Sequence, residues 1–181
     1  MIKVRWHGRG GQGSFTAARL LGLAASIYGE KYALAFPSFG PERRGAPVLA
    51  FTKIDDGPIL DRSEVAECDF VVVLDDTLIN ENTLVGLKEY GHVIINSNND
   101  KWFAENDKVQ VTTVNATEMA LEALGKPITN TAMLGALLAK MNVLGLTLDA
   151  AEQALENQMA PNLRKRNREL MRKIFEKVRM G

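Results

Sequence analysis

The chain has 181 residues, the size of one α/β domain, and its 22 basic and 22 acidic side chains cancel, so net charge points to neither nucleic acid nor a membrane surface. The single cysteine, Cys68, excludes an internal disulfide and cannot supply the thiolates of an iron–sulfur cluster. We therefore expect one soluble, cytoplasmic domain over residues 1–181 without a membrane-spanning segment.

The predicted elements alternate between strands and helices through the first two thirds of the chain. Apolar and β-branched runs predict strands at 2–6, 32–36, 48–54, 70–74, 93–95 and 109–114. Apolar periodicity and capping residues predict helices at 14–28, 77–89, 115–125, 132–144, 148–158 and 163–178. This order predicts a three-layer α/β fold, in which a mainly parallel, doubly wound, Rossmann-like sheet carries helices on both faces.

The last predicted helix is amphipathic and basic. Residues 162–181 carry eight basic and two acidic side chains, which leaves fourteen basic and twenty acidic side chains for the rest of the chain. The apolar positions of this segment share one side of the helix. The pattern predicts a C-terminal amphipathic helix that docks on an acidic body and turns its basic face to solvent or to a partner chain.

A glycine-rich segment, "GRGGQG" at 8–13, joins the first strand to the first helix with G-x-G-x-x-G spacing. Such a turn presents backbone amides at the positive end of a helix, where a phosphate can bind. A classical NAD site also has an acidic residue at the end of the second strand, whereas this strand ends at Phe36-Pro37. Three interpretations stay open: a phosphate-bearing or other polar ligand, a turn that only packs or meets a partner chain, and NAD or FAD. The candidate contacts are Gly8, Gly10, Gly11, Gln12 and Gly13.

The loop "FPSFGPERRGAPV" after the second strand contains three prolines and the adjacent Arg43 and Arg44. Proline fixes the backbone, and the planar guanidinium group suits phosphate or carboxylate. In a doubly wound sheet this loop lies at the same edge as the glycine segment, so both can form one anion-binding surface. The alternative is an ordinary ion pair with Glu42 or another surface acid.

Other polar residues have structural explanations. Asp75 and Asp76 follow a predicted strand and are expected to cap the next helix. Cys68 is expected to be a buried thiol, and His92 to lie on the surface.

Three segments in the same order and spacing carry a family resemblance: "HGRGGQGSFTAARLLGLAA", "FPSFGPERRGAPVLAFTKIDDGPI" and "ITNTAMLGAL". Over essentially the whole chain they resemble the γ subunit of the 2-oxoacid:ferredoxin oxidoreductases. Many relatives that act on 2-oxoglutarate have R-G-G where this chain has Arg44-Gly45-Ala46-Pro47. The resemblance is therefore closest to the pyruvate and branched-chain members.

The resemblance implies a non-catalytic γ subunit of an enzyme that oxidatively decarboxylates a 2-oxoacid to an acyl-coenzyme A and passes electrons to ferredoxin. Thiamine diphosphate, Mg and [4Fe–4S] clusters are expected on other chains: α, a thiamine-binding β and a ferredoxin-like δ. This chain has no thiamine-binding G-D-G signature.

Coenzyme A is the ligand that the resemblance suggests for the glycine segment with Arg43 and Arg44. No catalytic or metal-binding residue is expected in this chain. A stand-alone NAD- or flavin-dependent oxidoreductase, a scaffold subunit without a ligand, and homodimerisation of the isolated chain are left open.

Overall fold

The computed structural model describes residues 1–38, 44–143 and 145–181, so the prediction for Arg43 lies outside the described residues. Six strands within these ranges form one sheet: β1 (Ile2–Arg9), β2 (Tyr32–Pro37), β3 (Pro47–Asp55), β4 (Cys68–Val73), β5 (Leu87–Asn96) and β6 (Gln110–Val114). The α-helices of the same ranges are α1 (Ser14–Leu23), α2 (Ala116–Leu124), α3 (Asn130–Lys140), α4 (Leu148–Gln158) and α5 (Pro161–Met180). A π-helical turn, Ala24–Tyr28, continues α1. None of the helices described here is long and apolar enough to cross a lipid bilayer.

The sheet has the strand order β2-β3-β1-β4-β5-β6. β1, β4, β5 and β6 pair in parallel, whereas β3 runs antiparallel to both of its neighbours, β1 and β2. The chain leaves β2 and returns directly as its neighbour β3, a connection short enough only for an antiparallel pair. The predicted α/β class and mainly parallel sheet are confirmed, with β3 as the reversed strand of the described sheet.

The two faces of the sheet are covered differently. Val72 and Ile94 pack in a core that includes residues of all five described α-helices. Their neighbours Val71 and Val93 point to the opposite face, because successive strand residues alternate. That face is covered by the segments that follow β3, β4 and β5. The prediction of helices on both faces is therefore wrong for the described residues, and turns form the third layer.

The predicted helix at 77–89 is also wrong, because local hydrogen bonds hold this segment in turns. The backbone N–H of Asn80 donates to Thr83 Oγ1 at 2.9 Å, and the N–H of Asn82 donates to Asn80 Oδ1 at 2.8 Å. Such side-chain bonds compete with helical hydrogen bonds. Only a 3₁₀ turn, Asp76–Leu78, forms here, and β5 begins at Leu87.

The C-terminal helix docks as predicted, with Leu170, Met171, Ile174 and Val178 buried. Leu163, which the pattern assigns to the same side, is 50% exposed. Part of the basic face is neutralised by α4: Arg172 pairs with Glu152 at 2.7 Å and Arg168 with Glu156 at 2.9 Å. The basic face is therefore partly an internal contact between α4 and α5.

A buried lysine holds the segment after β3 against the face of the sheet formed by Val71 and Val93, which carries no described α-helix and is called the helix-free face below. Lys53 Nζ donates to Asp61 Oδ2 at 2.7 Å and to the carbonyl oxygens of Asp61 and Ser63 at 3.0 and 2.8 Å. Its ammonium group also lies 5.6 Å from the centre of the Phe36 ring. Hydrogen bonds from Lys53 and then from Ser63 hold the pKa of Asp61 well below its ordinary value.

We predict that Asp61→Asn lowers the free energy of unfolding at pH 7, because Lys53 loses its counter-ion. The folded-state pKa of Asp61 is depressed, so the carboxylate contributes fully at pH values above the unfolded-state pKa and its contribution falls as the pH drops below about 4. Denaturant unfolding at pH 7, 5 and 3 should therefore show a difference from wild type that is constant at the two higher values and smaller at pH 3. The control is Asp107→Asn, at an exposed residue without a described ion pair. A difference that grows on acidification would contradict this account.

Candidate functional site at the carboxyl ends of β1 and β4

The glycine segment and the arginine loop meet at one edge of the sheet. β1 is longer than predicted, because Gly8 and Arg9 still pair with Val48 and Pro47 of β3. Beyond the strand, the N–H of Gly10 donates to the Ala46 carbonyl at 2.8 Å, and the N–H of Gly45 donates to the Gly10 carbonyl at 3.0 Å. Gly10 thus forms a bridge with Arg44. The geometry agrees with the expectation that the two segments share an edge.

Gln12 closes the turn with its side chain. Its Oε1 accepts a hydrogen bond from the backbone N–H of Arg9 at 2.7 Å, and its Nε2 donates to Asp75 Oδ2 at 2.9 Å. Both ends of the amide are therefore used within the protein. Gln12 links the ends of β1 and β4, which leaves its amide fewer groups for a ligand.

Arg9, which sequence analysis does not single out, completes this link. Its Nε donates to Asp75 Oδ2 at 3.0 Å, and its terminal nitrogens donate to the Gly45 carbonyl and to Thr77 Oγ1 at 3.1 and 2.7 Å. Burial alone would raise the pKa of Asp75, but hydrogen bonds from Thr77 and Gln12 and the Arg9 charge hold it below its ordinary value. Asp75 also accepts from the N–H of Thr77, so the predicted cap is confirmed, on a 3₁₀ turn.

Gly8 and Gly13 are required by packing. A Cβ on Gly8 would overlap Ser14 Oγ, and a Cβ on Gly13 would lie 2.5 Å from Asn130 Nδ2. Gly13 also has a φ of 84°, in the left-handed region that favours glycine. Ser14 is 2% exposed, and its hydroxyl has no hydrogen-bond partner among the described residues. Because these two positions have no side chain, the N-terminal residues of α1 and α3, Ser14 and Asn130, can pack closely against the turn.

Gly11 and Arg44 are exposed and Gly10 is half-buried beside them, and we call these three residues the glycine–arginine surface. Gly11 has a φ of 93°, and a Cβ there would meet nothing within 4 Å. Arg44 is exposed. The first turn of α1 holds no acidic residue, and no described side chain caps it. The exposed backbone of Gly11 and the exposed Arg44 therefore offer an amide and a positive charge at this edge, which suits a phosphate group.

The NAD interpretation finds little support in this geometry. β2 ends at Pro37 without an acidic side chain, and the crevice between the ends of β1 and β4, where a doubly wound fold binds a dinucleotide, is occupied by Arg9 and Asp75. In the described part of the chain, His, Cys, Asp and Glu side chains nowhere form a group of three placed to hold a metal ion.

A cleft of about 720 Å³ adjoins this edge on the helix-free face. Arg5 and His7 of β1 line it, and Arg5 Nε donates to His7 Nε2 at 3.0 Å. Burial, together with the Arg5 charge, lowers the pKa of His7 to about 4, so the imidazole is neutral at pH 7. The other histidine, His92, is buried against Phe70 rather than on the surface as predicted, and burial likewise lowers its pKa to about 4.

We predict that Gly8→Ala destabilises the protein by about 1–3 kcal/mol, because the new methyl group overlaps Ser14 Oγ. Ser14→Ala removes a buried hydroxyl without a described partner and should be neutral or stabilising by up to about 1 kcal/mol. The double variant should recover most of the lost stability. Urea unfolding of the four proteins measures this coupling. Additive effects of the two substitutions would show that the hydroxyl is not what requires glycine at position 8.

Comparison with known proteins agrees with this architecture. Residues 3–177 match the family model described as pyruvate ferredoxin/flavodoxin oxidoreductase. The chain is 46% identical to the pyruvate synthase subunit PorC of Methanothermobacter thermautotrophicus, over 98% of this chain and 96% of that protein. It is 44% identical to the pyruvate/ketoisovalerate oxidoreductases common subunit gamma of Thermococcus litoralis, over 98% and 97% of the two chains. The crystal structure of the pyruvate oxidoreductase subunit PORC from Thermotoga maritima superimposes with a TM-score of 0.81 at 35% identity, over 97% of this chain and 95% of that chain. The chain belongs to the pyruvate ferredoxin/flavodoxin oxidoreductase family.

Proposed function

We propose that this chain is the non-catalytic γ subunit of a multi-subunit 2-oxoacid:ferredoxin oxidoreductase of the pyruvate type. The observation that carries the proposal is the similarity to γ-type relatives along nearly the whole of both chains. Residues 1–181 then form one domain of that enzyme. The complex decarboxylates a 2-oxoacid oxidatively, forms an acyl-coenzyme A and passes electrons to ferredoxin.

The chemistry of the reaction lies on the partner chains in this proposal. Thiamine diphosphate with Mg is held by the β subunit, and the [4Fe–4S] clusters by a ferredoxin-like δ subunit beside α. Cys68, the single cysteine of this chain, is buried, and burial raises the pKa of its thiol, which disfavours the nucleophilic thiolate. The pKa values of His7 and His92 are lowered to about 4, so both imidazoles are neutral at pH 7; His7 accepts from Arg5, and His92 is bonded to the Thr112 hydroxyl at 2.8 Å.

The glycine–arginine surface is proposed to contact the phosphate groups of coenzyme A, with Arg43 as an additional contact. Gly11 offers a backbone amide without a described partner, and Arg44 offers a charged group on the same edge. The Gly10 N–H is bonded to the Ala46 carbonyl, so Gly10 joins the two segments. Gly8 and Gly13 contribute by allowing close packing around the turn. Gln12 contributes by closing the turn, because its side-chain amide is bonded within the protein. A charge-assisted contact contributes about 1.5–3 kcal/mol.

We predict that the purified chain neither oxidises pyruvate nor binds thiamine diphosphate, and that adding it to its α, β and δ partners raises pyruvate-dependent reduction of a viologen dye. The reason is that the redox and carbanion chemistry needs cofactors that this chain is not expected to hold. The control is the same mixture without this chain. Dye reduction by the isolated chain would contradict the proposal.

We predict that Arg44→Ala and Arg43→Ala each raise the KM for coenzyme A roughly 10- to 100-fold in the reconstituted enzyme, which corresponds to one charge-assisted contact. The KM for pyruvate should change little, because the keto acid binds on another chain. Arg166→Ala, at an exposed arginine on α5, is the matched control. An unchanged KM for coenzyme A in an intact complex would remove the ligand role and leave these residues to a scaffold role.

A further inference from the structure

The cleft on the helix-free face is lined by positively charged side chains and, among the described residues, by no negatively charged one. It lies between the ends of β1 and β3 and the turns after β4. Its lining includes two arginines, Arg5 and Arg9, and no acidic side chain among the described residues. Arg9 is neutralised by Asp75 at 3.0 Å. Arg5 is therefore the charge that distinguishes this cleft.

Arg5 is 8% exposed, and every partner described for it is uncharged. Its terminal nitrogens donate to the carbonyl oxygens of Val85 and Thr83 at 2.7 and 2.9 Å, and its Nε donates to neutral His7. These bonds use three of the five N–H groups of the guanidinium. Two N–H groups and the full positive charge remain without a described partner.

A buried cation without a counter-ion is costly, because its desolvation is not offset by an attractive charge. The carbonyl dipoles of the turns after β4 offset part of this cost but carry no net charge. An anion from outside the described chain would complete the site.

We propose that this cleft receives an aspartate or glutamate side chain of a partner subunit, whose carboxylate pairs with Arg5. The proposal rests on the proposed membership of a multi-subunit enzyme. Charge complementarity supports it, because the described lining is cationic and lacks acids. Val85, which lines the cleft, is 61% exposed, and Leu49 and Ile79 also line it. An acidic side chain on an apolar protein surface would neutralise Arg5 and cover these residues together.

The first test measures assembly of Arg5→Met with the α, β and δ chains. Truncating one partner of a buried charge pair weakens binding by about 30-fold or more. Lys3→Met is the matched control, because Lys3 lies two residues earlier on β1, on the same face, and outside the cleft lining. We expect Arg5→Met to raise the dissociation constant about 30-fold or more and Lys3→Met to leave it within about threefold.

A second variant keeps the test valid if Arg5→Met fails to fold. Val85→Glu places a carboxylate at the exposed edge of the cleft, where it can pair with Arg5 within the chain. We expect this variant to raise the melting temperature of the isolated chain and yet to weaken assembly at least tenfold. The control is Val85→Gln, because glutamine has the size of glutamate without its charge. We expect Val85→Gln to change the melting temperature and the assembly affinity much less than Val85→Glu does.

The outcomes separate this inference from the proposed function. If the wild-type chain does not assemble with the partner chains, the proposed function itself fails. If the wild type, Arg5→Met and Val85→Glu assemble equally well, only the docking of a partner carboxylate is overturned. Arg5-dependent stabilisation of the isolated chain by millimolar acetate, together with normal assembly of Arg5→Met, would also overturn it and assign the cleft to a free carboxylate.

Discussion

The ion pair between Arg9 and Asp75 is the constraint on which the site depends. With Gln12 it ties the end of β1 to the end of β4, the two strands between which a doubly wound sheet opens its ligand crevice. That crevice is filled by the protein's own side chains, and on the other side of β1, toward β3, the Gly10 N–H is bonded to the Ala46 carbonyl. Arg44 stands on that side, beside Gly10. The ion pair thus closes the crevice between β1 and β4 and leaves Gly11 and Arg44 as exposed residues of this edge.

The glycine segment contains both tightly packed and exposed positions, so the packing and ligand interpretations of the sequence do not exclude each other. Gly13 lies against Asn130, so the glycine segment contacts the "ITNTAMLGAL" segment, another of the three on which the family resemblance rests. Asn130 begins a buried polar group, in which Thr131 donates to Asn167 of α5 at 2.9 Å. Packing therefore accounts for some glycines, while Gly11 projects into open space. One short segment can both fix the helices and present amides.

The sequence predicts the strands and most helices well, because their apolar patterns reflect burial in the two cores on either face of the sheet. It fails at 77–89, where Asn80 and Thr83 form local bonds whose strength no periodicity reveals. The reversed direction of β3 could be inferred from the sequence, because the predicted strands at 32–36 and 48–54 are joined by a connection too short for a parallel crossover. The glycines and Arg44 can be identified as candidate site residues from the glycine spacing and from the position of the arginine loop after the second strand. Arg5 is not, because its significance lies in the absence of a described acid around it, which only the fold can establish.

The unequal covering of the sheet has a consequence for hydrogen exchange. The helical face carries continuous backbone hydrogen bonds around a large apolar core, so its amides open only with much of the domain. On the opposite face, turns held by side-chain bonds, such as the Lys53 contact with Asp61, cover a smaller core. These turns can open locally at a lower free energy. The turns after β4 line part of the cleft beside Arg5, so one wall of the cleft belongs to the face that opens more easily, while the larger core holds the opposite face of the sheet.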